Sequence, residues 1–190
     1  IYSVNRNYTD YNDYYQSRGM WVNILTDGSY LKPDRVGYNI PIDLSFAFHT
    51  DAGTTLTDSI IGTLAIYTRL SMDKDEYPYG VKRSIARDYN DIVQTQIVDD
   101  IRATFEPQWS RRGMWDKAYS EARSPEVPAM LLELLSHQNL ADMRYGLDPA
   151  FRFVVSRAIY KGMLKYLSWL RGTPYIVQPL PVRAFSAEIG

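Results

Sequence analysis

The chain has no cysteine at all. That excludes disulfides, thiolate metal sites and a cysteine nucleophile together. Histidine is nearly absent as well, with only His49 and His137. Charge of one sign is not in excess: the formal charge is −1, and no lysine- or arginine-rich block occurs. Nucleic acid and anionic membrane are therefore not expected partners. The pairs Lys82-Arg83 and Arg111-Arg112 read as solvated surface. No apolar run reaches the length of a membrane-spanning helix, and no signal-peptide pattern opens the chain. The Walker loop, the G-x-S-x-G elbow and the G-x-G-x-x-G turn are also missing.

What is present is a chain of 190 residues, 45% apolar and 23% charged, enough for one domain with a sizeable core. Sixteen tyrosines and four tryptophans are a heavy aromatic load. Those at Tyr8, Tyr11, Tyr14, Tyr15, Tyr77 and Tyr79 suit either packing or a surface that stacks on sugar rings.

Two short apolar runs carry the chemistry. Asp43-Leu44-Ser45-Phe46-Ala47-Phe48-His49 ends in an imidazole, and Pro128-Ala129-Met130-Leu131-Leu132-Glu133 ends in a carboxylate. Both read as buried parallel strands whose carboxyl ends each present one polar residue. In an open α/β sheet, ligands gather at that rim. A histidine there is a metal ligand or a hydrogen-bonded structural residue. A glutamate there is a general base or the partner of a cation, with Arg123 available.

The remaining pattern fits that layering. Helical spacing covers residues 10 to 25, and a turn-rich connection follows through residue 42. A β-branched run spans 60 to 67, and an amphipathic helix spans 84 to 105 with Ile85, Tyr89, Ile92, Val93, Ile97 and Ile101 on one stripe. Residues 106 to 127 read as irregular, with Glu121 and Glu126 candidate metal carboxylates that are most simply solvent-exposed. Asp148 as cap and Pro149 in the first turn open a closing helix that Gly172 and Pro174 end. Alternation of strands and helices predicts a mainly parallel sheet flanked by helices on both faces. The division expected is one α/β domain over residues 1–172 and an extended proline-containing tail or linker over 173–190. Residues 1–6 read as the end of a strand whose partner lies upstream.

Taken together, these segments resemble the zinc-dependent N-acetylmuramoyl-L-alanine amidases of bacterial cell-wall turnover. That family has a strand close to D-L-F-V-S-I-H-A-N/D, matched by Asp43 through Asp51. It has a later strand close to P-A-V-L-V-E-x-G-F-L-S-N, matched by Pro128 through Asn139. Its arginine motifs resemble Asn5-Arg6-Asn7-Tyr8-Thr9-Asp10 and Arg18 to Asn23. Leu135 and Ser136-His137-Gln138 depart from the pattern, so the lip of the site should differ.

The resemblance implies an amidase-like fold lacking its first strand and helix, with Glu133 as the catalytic residue and His49 as a zinc ligand. His137, Asp51 and Asn139 fall where substrate would be contacted, and Arg6, Arg18 and Asn23 are expected to be structural. It implies a bacterial protein, exported to the periplasm or cell surface, whose partner is peptidoglycan or a related glycan-peptide. The other zinc ligands of that family would precede Ile1, so zinc should bind weakly or not at all to residues 1–190 alone, with little amidase activity. The missing N-terminal segment would then be a further partner. The competing expectation is a non-catalytic glycan-binding or scaffold module built on the same fold.

Overall fold

The structure is a computed structural model that describes residues 10–29, 32–55 and 57–177. The Asn5-Arg6 motif, Tyr8 and the end of the tail with Pro179 and Pro181 lie outside the described residues.

Helix α1, Asp10–Thr26, begins with Asp10 and Asp13 in its first turn, where carboxylates complement the exposed N–H groups. The connection after it is not wholly irregular. Strands β1, Gly28–Ser29, and β2, Lys32–Val36, pair antiparallel there. Gly28 supports that tight return at φ +101°.

The central sheet has four strands in the order β3-β6-β4-β5. These are β3, Ser45–Asp51; β4, Leu64–Tyr67; β5, Trp115–Asp116; and β6, Ala129–Ser136. β3 and β6 are parallel, as are β4 and β5, but β4 runs antiparallel to β6. The expectation of a mainly parallel sheet thus needs one correction, at β4. Its all-buried Leu-Ala-Ile-Tyr run carries no signal of direction, because a strand covered on both faces reads the same either way.

Helices cover both faces. On one face α2, Ile85–Thr104, packs against α5, Pro149–Arg171. Their stripes Tyr89, Val93, Ile97 and Phe151, Val155, Ala158, Tyr166 join Ala65, Met130, Leu132 and Leu134 of the sheet in the main core. Asp148 caps α5 through Ala150 N, and Gly172 ends it in the left-handed conformation. On the other face lie α1 and the short helix α3, Ser120–Arg123, over a smaller cluster of Leu64, Ile66, Leu131 and Ala122. Helix α4, Leu140–Gly146, follows β6. Thus the stretch expected to be irregular, 106 to 127, supplies both a strand and a helix.

Strand alternation decides what points where. On β6, Met130, Leu132 and Leu134 enter the main core, so Leu131 and Glu133 face α3. On β3, Phe46 packs toward the main core and Ala47 toward the smaller cluster, which puts His49 and Asp51 on the α3 face too.

Candidate active site

His49 and Glu133 are register partners in neighbouring parallel strands. Adjacent strands lie about 4.8 Å apart, so two side chains on the same face of such a pair are neighbours. Neither residue is at its strand's end, as the spacing had suggested. β3 continues to Asp51 and β6 to Ser136, so the pair stands inside the sheet and other residues form the lip beyond it.

Glu133 is half-buried, and its Oε2 has no hydrogen-bond partner among the described residues. Burial raises its pKa, the positive fields of His49 and Arg112 oppose that, and the like charges of Asp51 and Glu121 add to it. The net direction is upward. Arg123, the cation that the sequence offered as its partner, is not among the charges acting on it.

The partner of His49 is Glu121, a residue expected to be solvent-exposed. Its side chain is only 9% exposed, with Oε2 2.7 Å from His49 Nε2 and Oε1 2.6 Å from Arg18 Nη1. The imidazole contact lacks hydrogen-bond geometry, and the buried Nε2 has no hydrogen-bond partner among the described residues. Arg18 donates a true hydrogen bond to Glu121. It therefore acts on the site through Glu121, in addition to any structural part. Asn23 is structural: its amide donates to Ser124 O at 2.9 Å and its oxygen accepts from Glu126 N at 2.8 Å.

The lip gathers the other residues. Asp51 Oδ2 meets Arg112 Nη1 at 2.6 Å. Burial works to raise the Asp51 pKa, but hydrogen bonds from Arg112 and Ala52 N outweigh it and hold the carboxyl below its ordinary value. His137 is exposed, with Nδ1 3.1 Å from Thr50 Oγ1, and its backbone N–H donates to Asp51 O. Asn139 is buried and committed to the fold. It caps α4 by accepting from Asp142 N at 2.9 Å, and it donates to Ser59 O at 3.0 Å. The basic pairs read as surface are corrected as well. Arg83 is buried, with its guanidinium 2.7 Å from Arg123 O, and Arg112 is part of the lip. Glu121 was only one of several candidate carboxylates in the sequence and Arg112 had no signal there, since both lie in segments without periodicity.

The donors near His49 test whether zinc fits. A zinc hydrolase site needs three protein ligands in fixed geometry. His49 Nε2 and Glu121 Oε2 face one another, but no group of three histidine, aspartate or glutamate side chains that could hold a metal occurs among the described residues. These residues do not by themselves compose a zinc site.

No protein-family model matches the sequence, and no curated protein matches it. Solved structures do. An N-acetylmuramoyl-L-alanine amidase from Clostridium difficile 630 superposes with a TM-score of 0.55 at 17% identity, over 85% of this chain and 67% of that one. The CwlD amidase from Clostridioides difficile, solved in complex with the GerS lipoprotein, gives 0.56 at 17% identity over 84% and 64%. N-acetylmuramoyl-L-alanine amidase AmiC2 of Nostoc punctiforme gives 0.51 at 16% identity over 66% and 58%. The chain spans 58 to 67% of these structures. With its mixed sheet covered on both faces, this chain has the fold of the N-acetylmuramoyl-L-alanine amidases.

Proposed function

We propose that this chain is the hydrolytic domain of a bacterial cell-wall amidase, acting outside the cytoplasm on the amide between muramic acid and the stem peptide of peptidoglycan or a related glycan-peptide. The observation that carries this reading is the register pairing of His49 with Glu133 on one face, each with a buried polar atom that has no hydrogen-bond partner among the described residues, His49 Nε2 lying in ionic contact with Glu121. Such atoms are costly unless a ligand or water takes them.

In this reading Glu133 is the general base. It takes a proton from water as the water oxygen attacks the amide carbonyl carbon. The tetrahedral adduct then collapses, the C–N bond breaks, and Glu133 returns the proton to the leaving amine. Asp51 and His137 border the substrate at the lip, and Asn139 supports them from below. The family resemblance implies zinc, with His49 as its ligand here. The described donors do not complete that site, so no step is assigned to a metal.

The incomplete donor set favours a second reading, a glycan-binding module that keeps the fold without hydrolysis. One assay separates them. Purified peptidoglycan is treated with the full-length natural protein or its Glu133→Gln variant, and newly freed amino groups are counted. The amidase reading expects release that falls by about 10²- to 10⁴-fold in the variant. Equal release from both overturns Glu133 as base, and binding without release from either establishes the module.

A further inference from the structure

A cavity of about 360 Å³ opens at the amino ends of β3 and β6. Ile42 and Val127, just before those two strands, line it, so it lies on the rim opposite Asp51 and His137. From Val127 to Glu133 is roughly 20 Å of extended chain. None of the residues placed in the active site above borders this cavity. Its volume falls within the range of small-molecule sites, about 300–1,000 Å³.

The walls are fixed in place. Tyr38 N donates to Ile24 O at 3.0 Å, Asn39 N to Thr26 O at 2.7 Å and Ile40 N to Leu25 O at 2.9 Å, which ties one wall to the end of α1. Glu126 is anchored by its backbone N–H on the buried Asn23. Tyr79 stacks on Tyr77 with centroids 5.5 Å apart and planes 8° apart, and Tyr77 is buried with the Arg83 guanidinium carbon 4.5 Å from its centroid. The Tyr79 ring thus has a rigid support and stays 56% exposed where it lines the cavity.

The charge lining the cavity is of one sign. Asp27 and Glu126 contribute carboxylates, and no lysine, arginine or histidine is among the lining residues. Thr26 brings the carboxyl end of α1, whose last turn has no basic residue. That end of a helix carries partial negative charge and favours a cation. Glu126, expected at the surface, is half-buried. Its carboxylate has no hydrogen bond or ion pair among the described residues. Burial raises its pKa, the charge of Arg83 opposes that, and the like charge of Asp27 adds to it.

We propose that this cavity is a second binding site, for an aliphatic primary ammonium group, with Glu126 and Asp27 as its anionic partners and Tyr79 as its aromatic wall. The inference does not rest on the amidase reading, since the two sites lie on opposite rims of the sheet. An ammonium has three N–H donors and no acceptor, which suits a lining of two carboxylates and the Asn39 side-chain oxygen. Charge-assisted hydrogen bonds of this kind are about twice as strong as neutral ones. The Tyr79 ring attracts the same charge through its π face. Ile40, Ile42 and Val127 offer apolar surface to the hydrocarbon stem.

The test titrates the full chain with n-butylamine at neutral pH and follows backbone amide shifts by NMR, with n-butanol as the neutral counterpart. Nα-acetyl-L-lysine amide is the second probe: its binding assigns the site to a lysine side chain of a peptide, and binding of n-butylamine alone assigns it to a free amine. Shifts are expected at residues 26–27, 39–42 and 126–127, with the amine binding at least about tenfold more tightly than the alcohol. Glu126→Gln should weaken the amine by about tenfold, and Tyr79→Ala by a few-fold. Asp27→Asn changes an exposed residue and keeps the test decisive if Glu126→Gln does not fold. Equal binding of amine and alcohol, shifts confined to other surfaces, or an affinity that neither charge variant changes overturns the site. Tighter binding of N-acetylglucosamine than of the amine overturns the ammonium in favour of a sugar. None of these outcomes bears on Glu133.

Discussion

His49 on β3 and Glu133 on β6 sit directly opposite one another across a parallel ladder, though 84 residues separate them in the chain. A slip of one residue in that register would move one of them to the α2 and α5 face, where Phe46 and Leu132 now pack. The pairing is therefore maintained by the apolar residues on either side of it. The hydrophobic pattern that builds the sheet also places the two polar groups together.

Zinc separates the site as it stands from a complete metal centre. Titration of residues 1–190 with zinc in a calorimeter is expected to give weak heats without a one-to-one saturation point, since two facing donors fall short of three. Tight stoichiometric binding, weakened by Glu121→Ala, would mean that Glu121 is a true ligand and that a third donor completes the site.

Glu133 leaves a signature in the pH dependence of stability. Burial raises its pKa above the ordinary 4.5, partly offset by the field of His49. A raised folded pKa means that the folded state holds the proton more tightly. The resulting stabilisation is complete below the unfolded pKa and disappears as pH rises through the folded value. As pH rises from the ordinary glutamate range through the raised folded value, wild type should lose more thermal stability, or gain less, than Glu133→Gln, which cannot titrate. Identical melting-temperature profiles for the two proteins would contradict this assignment of the carboxyl.

Asp142 ties the rim to the core. Fully buried, its carboxylate accepts from Ile61 N at 3.0 Å, Gly62 N at 3.2 Å and Ser136 N at 2.8 Å. Asp142→Ala would strand two buried N–H donors and one part-buried one, each buried one costing about 1–3 kcal/mol. A loss of at least about 3 kcal/mol is expected, seen as a fall in melting temperature of roughly 6–12 °C for a chain of this size. A fall of under 2 °C would show that water can reach these groups.

Gly162 marks a close approach of α5 to α2. A Cβ there would sit 2.8 Å from Val93 Cα and 3.2 Å from Val93 Cγ2. Helix propensity favours Gly162→Ala by about 1 kcal/mol. Overpacking against a backbone atom costs about 1–3 kcal/mol, and the backbone cannot swing aside as a flexible side chain would. The variant should be less stable by up to about 2 kcal/mol in a denaturant titration. A stabilised variant would mean that the two helices can move apart freely.

Much of the fold was legible because it depends on local spacing. The α2 stripe, the Asp148 cap, Pro149 and the Gly172 stop needed nothing beyond a helical period and terminal chemistry. The runs leading to His49 and Glu133 were visible as strands because both are almost purely apolar. The direction of β4 was not legible, and neither were β1, β2, β5 and α3, which are too short to show a period.

The candidate site divides in the same way. His49 and Glu133 stand out as polar residues ending or interrupting apolar runs, so the chain alone named them. Glu121, Arg18 and Arg112 have no such contrast with their neighbours. What selects them is proximity: a carboxylate 72 residues from His49 in the chain comes within 2.7 Å of its ring, and an arginine from a loop closes on Asp51. Local pattern determined which residues could be strands, helices and polar exceptions. Only tertiary packing decided which charges meet, because the energy of an ion pair depends on distance in space and on the water excluded around it, neither of which a sequence records.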